Sequence, residues 1–185
     1  MSKGTSSKII VITGEKGSGK TILCEWCTKE FQSRKFDVTG LLSVTDVAGD
    51  SRTKIDVKDI HSGEIRVLAE KLNSFDYSSM TPRWKFETQT LEWGNEKLNA
   101  CVPCDLLIID ELGLMEFIHD KGWMNAFPIL LGRKYRLALV VIRPQLLANA
   151  YEKLGEFQVF EMDVKNHELN RKRLDKLVSE QLESS

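Results

Sequence analysis

Eight residues near the amino terminus, Gly14-Glu15-Lys16-Gly17-Ser18-Gly19-Lys20-Thr21, combine glycines with a lysine and a hydroxyl in the pattern G-x-x-x-x-G-K-[ST]. Each residue type meets a demand of polyphosphate chemistry. Glycines let the backbone turn tightly, so that successive N–H groups point inward at phosphate oxygens, and the positive end of a following helix adds to the field. Lys20 would reach the β- and γ-phosphates as a point charge, and the Thr21 hydroxyl would ligate an accompanying Mg²⁺. Glu15, Lys16, Gly17 and Ser18 fill the variable slots, with Ser18 an extra donor.

A second stretch, Asp105-Leu-Leu-Ile-Ile-Asp-Glu-Leu-Gly113, is an apolar run that ends in two acids. On a parallel strand adjoining the first, Asp110 would face the cation held by Thr21, and Glu111 would be placed to orient or deprotonate an attacking water. An Asp-Glu pair after a strand is also what an ordinary helix start shows. The phosphate loop upstream favours the metal and water site. Arg143 ends a later apolar run, at the edge where ligands of open α/β sheets gather. Pairing with a phosphate and a plain surface position both fit it.

These residues need a sheet and helices to hold them. Ile9 to Thr13 is β-branched and reads as a strand buried on both faces. A helix to about Ser33 follows, with Ile22, Leu23, Trp26, Cys27 and Phe31 on its packed face, and Phe36 to Ser43 is a second strand. Residues 44–87 change grammar. A turn at Asp46, Gly49, Asp50 and Ser51 leads into alternating segments, Thr53 to Ile60 and Glu64 to Ala69, joined around His61-Ser-Gly63 as an antiparallel insertion. The polar loop Asn73 to Arg83 suits either a lid or a decorated sheet edge. Glu87 to Ala100 reads as a helix with Gly94 as its weak point. Asp120 to Arg133 reads as another, with Trp123, Phe127, Leu130 and Leu131 at core spacing and Pro128 as a kink. Tyr135 to Ile142 is the fourth parallel strand, Gln145 to Leu154 a short helix, Gln158 to Met162 a last strand and Asn166 to Leu182 an amphipathic helix.

Composition limits the alternatives. The chain of 185 residues is the size of one domain, residues 1–185, and can bury about three quarters of its unfolded surface. With 26 basic and 27 acidic residues, it offers no field of one sign toward nucleic acid or an anionic membrane. The run Arg171-Lys-Arg173 is a solvated face rather than a nucleic-acid patch. The chain carries neither a signal-peptide core nor an apolar stretch of membrane-spanning length, so a cytoplasmic protein is expected. Its four cysteines form two C-x-x-C pairs, Cys24 with Cys27 and Cys101 with Cys104. The first pair sits on a helix and the pairs lie far apart, so inert reduced thiols are expected rather than zinc. His61, His119 and His167 are scattered.

Gly14 to Thr21, the Gly40-Leu-Leu-Ser43 strand with its polar turn and Arg52, and Asp110-Glu-Leu-Gly-Leu-Met-Glu116 together resemble the thermophile-type nucleoside-triphosphatase family of small P-loop proteins, over roughly residues 8–155. The resemblance implies an α/β fold of the P-loop NTPase kind, a mainly parallel β-sheet flanked by helices with a small antiparallel β insertion at 44–87. It implies Mg²⁺-dependent hydrolysis of ATP, GTP and other nucleoside 5′-triphosphates to the diphosphate and phosphate, with loose selectivity among bases. Arg52, Asp110, Glu111 and Glu116 match the family pattern. Two departures stand out: Asp46-Val-Ala48 replaces Glu-Val-Arg, and Leu114 replaces a lysine. If the missing cations neutralise charge on the γ-phosphate, hydrolysis is slow or needs a protein partner. A small-molecule kinase or transferase, and a nucleotide-gated module serving a partner enzyme, stay open beside the hydrolase.

Overall fold

The computed structural model describes residues 8–44, 53–74 and 83–183 and lays the apolar runs side by side in one eight-stranded sheet. In chain order the strands are β1 (Lys8–Thr13), β2 (Val38–Val44), β3 (Lys54–Asp59), β4 (Ile65–Lys71), β5 (Trp84–Phe86), β6 (Cys104–Leu112), β7 (Tyr135–Ile142) and β8 (Gln158–Glu161). Across the sheet they run β5-β4-β3-β2-β6-β7-β1-β8. The five from β2 to β8 pair in parallel, whereas β3, β4 and β5 add on antiparallel.

The parallel strands are apolar along their whole length because helices cover both faces. Helices α2 (Thr88–Ala100), α4 (Ala126–Gly132) and α5 (Leu147–Leu154) lie on one face, where Trp93, Leu98, Leu130 and Ala150 meet Ile9, Val11, Leu107 and Val140. Helices α1 (Lys20–Ser33) and α6 (His167–Leu182) lie on the other, where Phe31 and Leu174 meet the alternate residues Ile10, Ile12, Leu106 and Ile108. A short helix, α3 (Leu114–Phe117), follows β6, and a 3₁₀ turn at Pro144–Leu146 precedes α5.

Several expectations need correction. The strand bearing Asp110 does not adjoin β1, because β7 lies between them. Helix α1 packs across β7, β6 and β2, which carries its first turn to the Asp110 strand all the same. That helix buries Leu23, Cys24, Cys27, Thr28 and Phe31, so its packed face is rotated from the one expected and Ile22 is left 56% exposed. Helix α4 begins only at Ala126, and Pro128 sits in its first turn, where a missing N–H costs nothing and no kink follows. Leu131, expected in the core, is exposed. Gly94 is not a weak point: a Cβ there would lie 2.3 Å from Cζ3 of Trp123, so its absence lets the indole close onto α2.

The antiparallel insertion is an extension of the main sheet and includes β5, which the polar loop concealed. The turn at Asp46, Gly49, Asp50 and Ser51, together with Ala48, Arg52 and most of the loop Asn73 to Arg83, lies outside the described residues. The β3–β4 hairpin turns on Asp59. Its carboxylate accepts from the His61 amide (3.2 Å) and from the Ser62 amide and hydroxyl (3.3 and 2.5 Å), and pairs with Lys97 at 3.3 Å. Burial pushes its pKa up, but the bonds from Ser62, Lys97 and the two amides outweigh this and hold it below the usual carboxylate value. A depressed folded pKa stabilises above the unfolded value of about 3.9 and ceases to as pH falls through the folded one. Asp59→Asn should therefore lower stability by about 1–3 kcal/mol at pH 7. The gap between parent and variant denaturation midpoints should narrow below about pH 4, and a gap constant with pH would contradict this account.

Candidate active site

The loop between β1 and α1 is shaped by Gly14, Gly17 and Gly19, at φ of 152°, 82° and 87°, where any side chain would be strained. The Ser18 amide donates to the Glu15 carbonyl at 3.1 Å and closes the turn. Gly19 caps α1 without a side chain, so the first-turn N–H groups face the loop as anion donors. Ser18 is buried, while Glu15, Lys16 and Gly17 form the exposed crest.

Lys20 is 8% exposed and folds back over this loop. Its ammonium donates to the carbonyls of Gly14 and Glu15, both at 2.7 Å, and to Oγ of Ser18 at 3.3 Å. Burial lowers its pKa, with Arg143 acting the same way and Glu111, Asp110 and Glu15 opposing. An ammonium satisfied only by loop oxygens can exchange them for phosphate oxygens with little desolvation cost.

Asp110 reaches the same rim. It accepts from Thr21 Oγ1 at 3.3 Å through Oδ1 and from the Ser43 amide at 3.3 Å through Oδ2, while Ser43 Oγ donates to its carbonyl at 3.0 Å. Burial is the largest influence on its carboxyl and Glu111 adds to it, against the bonds from Thr21 and Ser43 and the charge of Lys20, so its pKa is pushed up to about 7. A carboxylate in that setting lacks a strong counter-charge. The Thr21 hydroxyl and the Asp110 carboxylate are adjacent oxygen donors, the set that suits Mg²⁺, which takes one or two protein ligands and completes its shell with phosphates and water. Among the described residues no three His, Cys, Asp or Glu side chains cluster as a metal site.

Glu111 follows where β6 carries one extra residue relative to β7: Ile109 faces Val140 and Leu112 faces Ile142. Such a bulge re-aims the side chains within it. The peptide bond between Asp110 and Glu111 is cis. Arg143, just past β7, donates from Nε to Glu111 Oε1 at 2.6 Å, so it stands at the expected edge but is partnered by a carboxylate. Leu114, in the slot where the resemblance leads one to expect lysine, is 58% exposed.

Two contributors escaped the sequence. Ser43 read as the mere end of a strand, yet it fixes Asp110 from the neighbouring β2. Glu116 matched a pattern without an evident task. It is 5% exposed and accepts from the Gly113 amide through Oε2 and the Trp123 amide through Oε1, both at 2.8 Å. Burial raises its pKa against those two amides. It thereby ties the loop after the two acids to the start of the α4 segment, which is also why residues 120–125 turn instead of continuing as helix. The four cysteines are free and buried, and burial raises each thiol, Cys101 to about 12 and Cys104 to about 11, so they stay protonated and unreactive. Arg171 and Arg173 are not simply solvated: they lie over the rings of Trp26 and Phe160.

Comparison with known proteins agrees with this geometry. The profile of a family described as NTPase matches residues 9–177. Nucleoside-triphosphatase THEP1 of Caldivirga maquilingensis is 27% identical over 79% of this chain and 82% of its own length. Its counterpart from Thermococcus kodakarensis is 26% identical over 86% and 88%. Among solved structures, THEP1 from Aquifex aeolicus superposes with a TM-score of 0.68 at 19% identity, over 92% of this chain and 98% of that one. A human cancer-related nucleoside triphosphatase does so with a TM-score of 0.71 at 19% identity, over 93% and 97%. These likenesses give the P-loop NTPase fold. Replacing Glu116 by alanine would strand the two amides that it satisfies, one of them buried. Glu116→Ala should cost about 2–3 kcal/mol in urea denaturation and Glu116→Gln less, since one carbonyl acceptor remains; equal losses would show that the amides find other partners.

Proposed function

The chain belongs to the NTPase family, and on that premise we propose that this enzyme hydrolyses nucleoside 5′-triphosphates to the diphosphate and phosphate with Mg²⁺. The observation that carries this is the 3.3 Å contact between Thr21 and Asp110, 89 residues apart in sequence, directly beside the lysine-capped loop. Loop amides from Gly14 to Gly19 and the Lys20 ammonium hold the triphosphate. Thr21 and Asp110 would hold the cation, which when bound neutralises phosphate charge and settles Asp110 in its ionised form. Glu111 orients water in line with the leaving oxygen. Arg143 fixes Glu111, and Arg52 is the further cation that the family pattern supplies. The whole chain acts as one domain, with β3, β4 and β5 as an edge extension of its sheet. Its reduced, buried thiols suit a reducing compartment such as the cytoplasm. No helix among the described residues is long and apolar enough to cross a membrane.

One observation favours a second reading, a nucleotide-gated module that hydrolyses poorly and serves a partner protein. The carboxylate meant for water is already engaged by Arg143 at 2.6 Å, and Leu114 supplies no charge beside it. Phosphate release with and without Mg²⁺ tells the two apart. Lys20→Ala should weaken triphosphate binding and turnover together, by about a hundredfold in kcat/KM. Glu111→Gln should keep the dissociation constant within about threefold and lower kcat by about a hundredfold or more. Parent-level turnover in Glu111→Gln would remove Glu111 from the water site, and triphosphate binding without release in the parent protein would establish the gated module.

A further inference from the structure

Strand order gives Arg143 a position that its ion pair alone does not explain. Strand β7 runs between β1 and β6, with Ile12 beside Val141 on one side and Leu112 beside Ile142 on the other. Arg143 is the first residue past β7, so it leaves the sheet one strand spacing, about 4.8 Å, from the strand that opens into the phosphate loop and the same from the strand that carries the acids. Its charge is felt on both sides. It bonds Glu111 directly, and it bears on Lys20: burial is the largest influence lowering that ammonium's pKa, and among the charges Glu111 raises it and Arg143 lowers it, both ahead of Asp110. Electrostatic influence falls with distance, so guanidinium, carboxylate and ammonium share one small region.

The root of Arg143 is fixed and its tip is not used up. Its backbone is extended at φ −70° and ψ 151° before Pro144, and its carbonyl accepts from the Leu146 amide at 3.0 Å. The side chain is 53% exposed and makes one hydrogen bond among the described residues, from Nε to Glu111 Oε1 at 2.6 Å. A guanidinium carries N–H donors on all three nitrogens in a planar fork. Those on Nη1 and Nη2 remain for an anion, and a fork of that shape matches two oxygens of a phosphate. Only Oε1 of Glu111 is taken, so Oε2 stays for water. A half-exposed ion pair contributes little to stability, so bracing the fold is a weak reason for this one.

We propose that Arg143 recognises the terminal phosphate of the substrate: holding Glu111 through Nε and the γ-phosphate through its Nη groups, it sets the water-orienting carboxylate against the phosphorus that water attacks. This rests on the phosphate-loop and Glu111 assignments above and adds the group that tells a triphosphate from a diphosphate. Loop amides meet phosphates that both ligands carry, whereas the Nη groups find a partner only when a γ-phosphate is present. Leu114, 58% exposed, brings no charge to this rim, and Arg143 supplies one from the next strand.

The test is calorimetric binding, with Mg²⁺ present, of the β,γ-imido analogue of ATP and of ADP, alongside phosphate release from ATP. Arg143→Met should weaken the imido analogue by about tenfold or more while leaving ADP within about twofold, and should lower kcat, since a charge-assisted bond to the γ-phosphate is lost. Arg143→Lys, which keeps the charge and loses the fork, should recover part of both. In a Glu111→Gln background, Arg143→Met should weaken the analogue again by a similar factor, because the phosphate contact is made by Arg143 itself. Analogue binding unaltered by Arg143→Met, or altered only while residue 111 is a carboxylate, would make Arg143 a mere support for Glu111 and overturns the proposal. Equal weakening of ADP and analogue overturns it too, since a general field and not the terminal phosphate would then be felt; in each of these cases the hydrolase reading stands on phosphate release by the parent protein. A parent protein that binds neither ligand would instead remove the phosphate site, and this role of Arg143 with it.

Discussion

The rim of this sheet is governed by the meeting of a hydroxyl and a carboxylate that start 89 residues apart, Thr21 and Asp110. Thr21 lies in the first turn of α1 and Asp110 near the end of β6, which β7 separates from the strand that leads into that helix, so the contact depends on α1 crossing β7 toward β6, and that crossing depends on the packed face of the helix. Leu23, Cys24, Cys27 and Phe31 set the rotation of α1. Small cysteines, with Thr28 bonding back to the Cys24 carbonyl at 2.9 Å, let the helix lie close to the strands. The thiols are thus tied to the active rim through packing and not through chemistry.

The same rim shows two carboxylates held apart in character by their surroundings. Asp110 is enclosed and finds only neutral donors within hydrogen-bond reach, whereas Glu111, one residue on, points to the surface and finds a guanidinium. The extra residue in β6 sends the neighbouring side chains to different environments, and burial pushes up the Asp110 carboxyl alone. Two adjacent acids thus gain different surroundings from a local irregularity of a strand.

The parts legible in the sequence were those where local pattern and tertiary demand coincide. The phosphate loop, the buried strand before it, the acidic end of β6 and the hairpin around Ser62 all carry their signal in a few adjacent residues. Errors arose where the decisive partner was distant. Glu116 takes the Trp123 amide and the expected 120–133 helix starts only at Ala126, and nothing near Trp123 announces that. Gly94 read as a defect because its reason, the Trp123 ring, lies 29 positions on. The rotation of α1 could not be seen from spacing, since Ile22 and Trp26 are as apolar as the residues that displaced them. Strand order is not legible because the sequence points to a parallel β6 but not to β7, later in the chain, lying between it and β1.

The antiparallel strands beyond β2 carry a consequence of another kind. Without them the stretch Leu41–Val44 of β2 would present unpaired backbone beside the catalytic rim, a template for a second chain to add. The sheet instead terminates in β5, three residues long, and at its opposite margin in β8, four residues long. Short margins of this kind are how sheets limit edge-to-edge pairing, so the extension exchanges a longer open edge for a brief one.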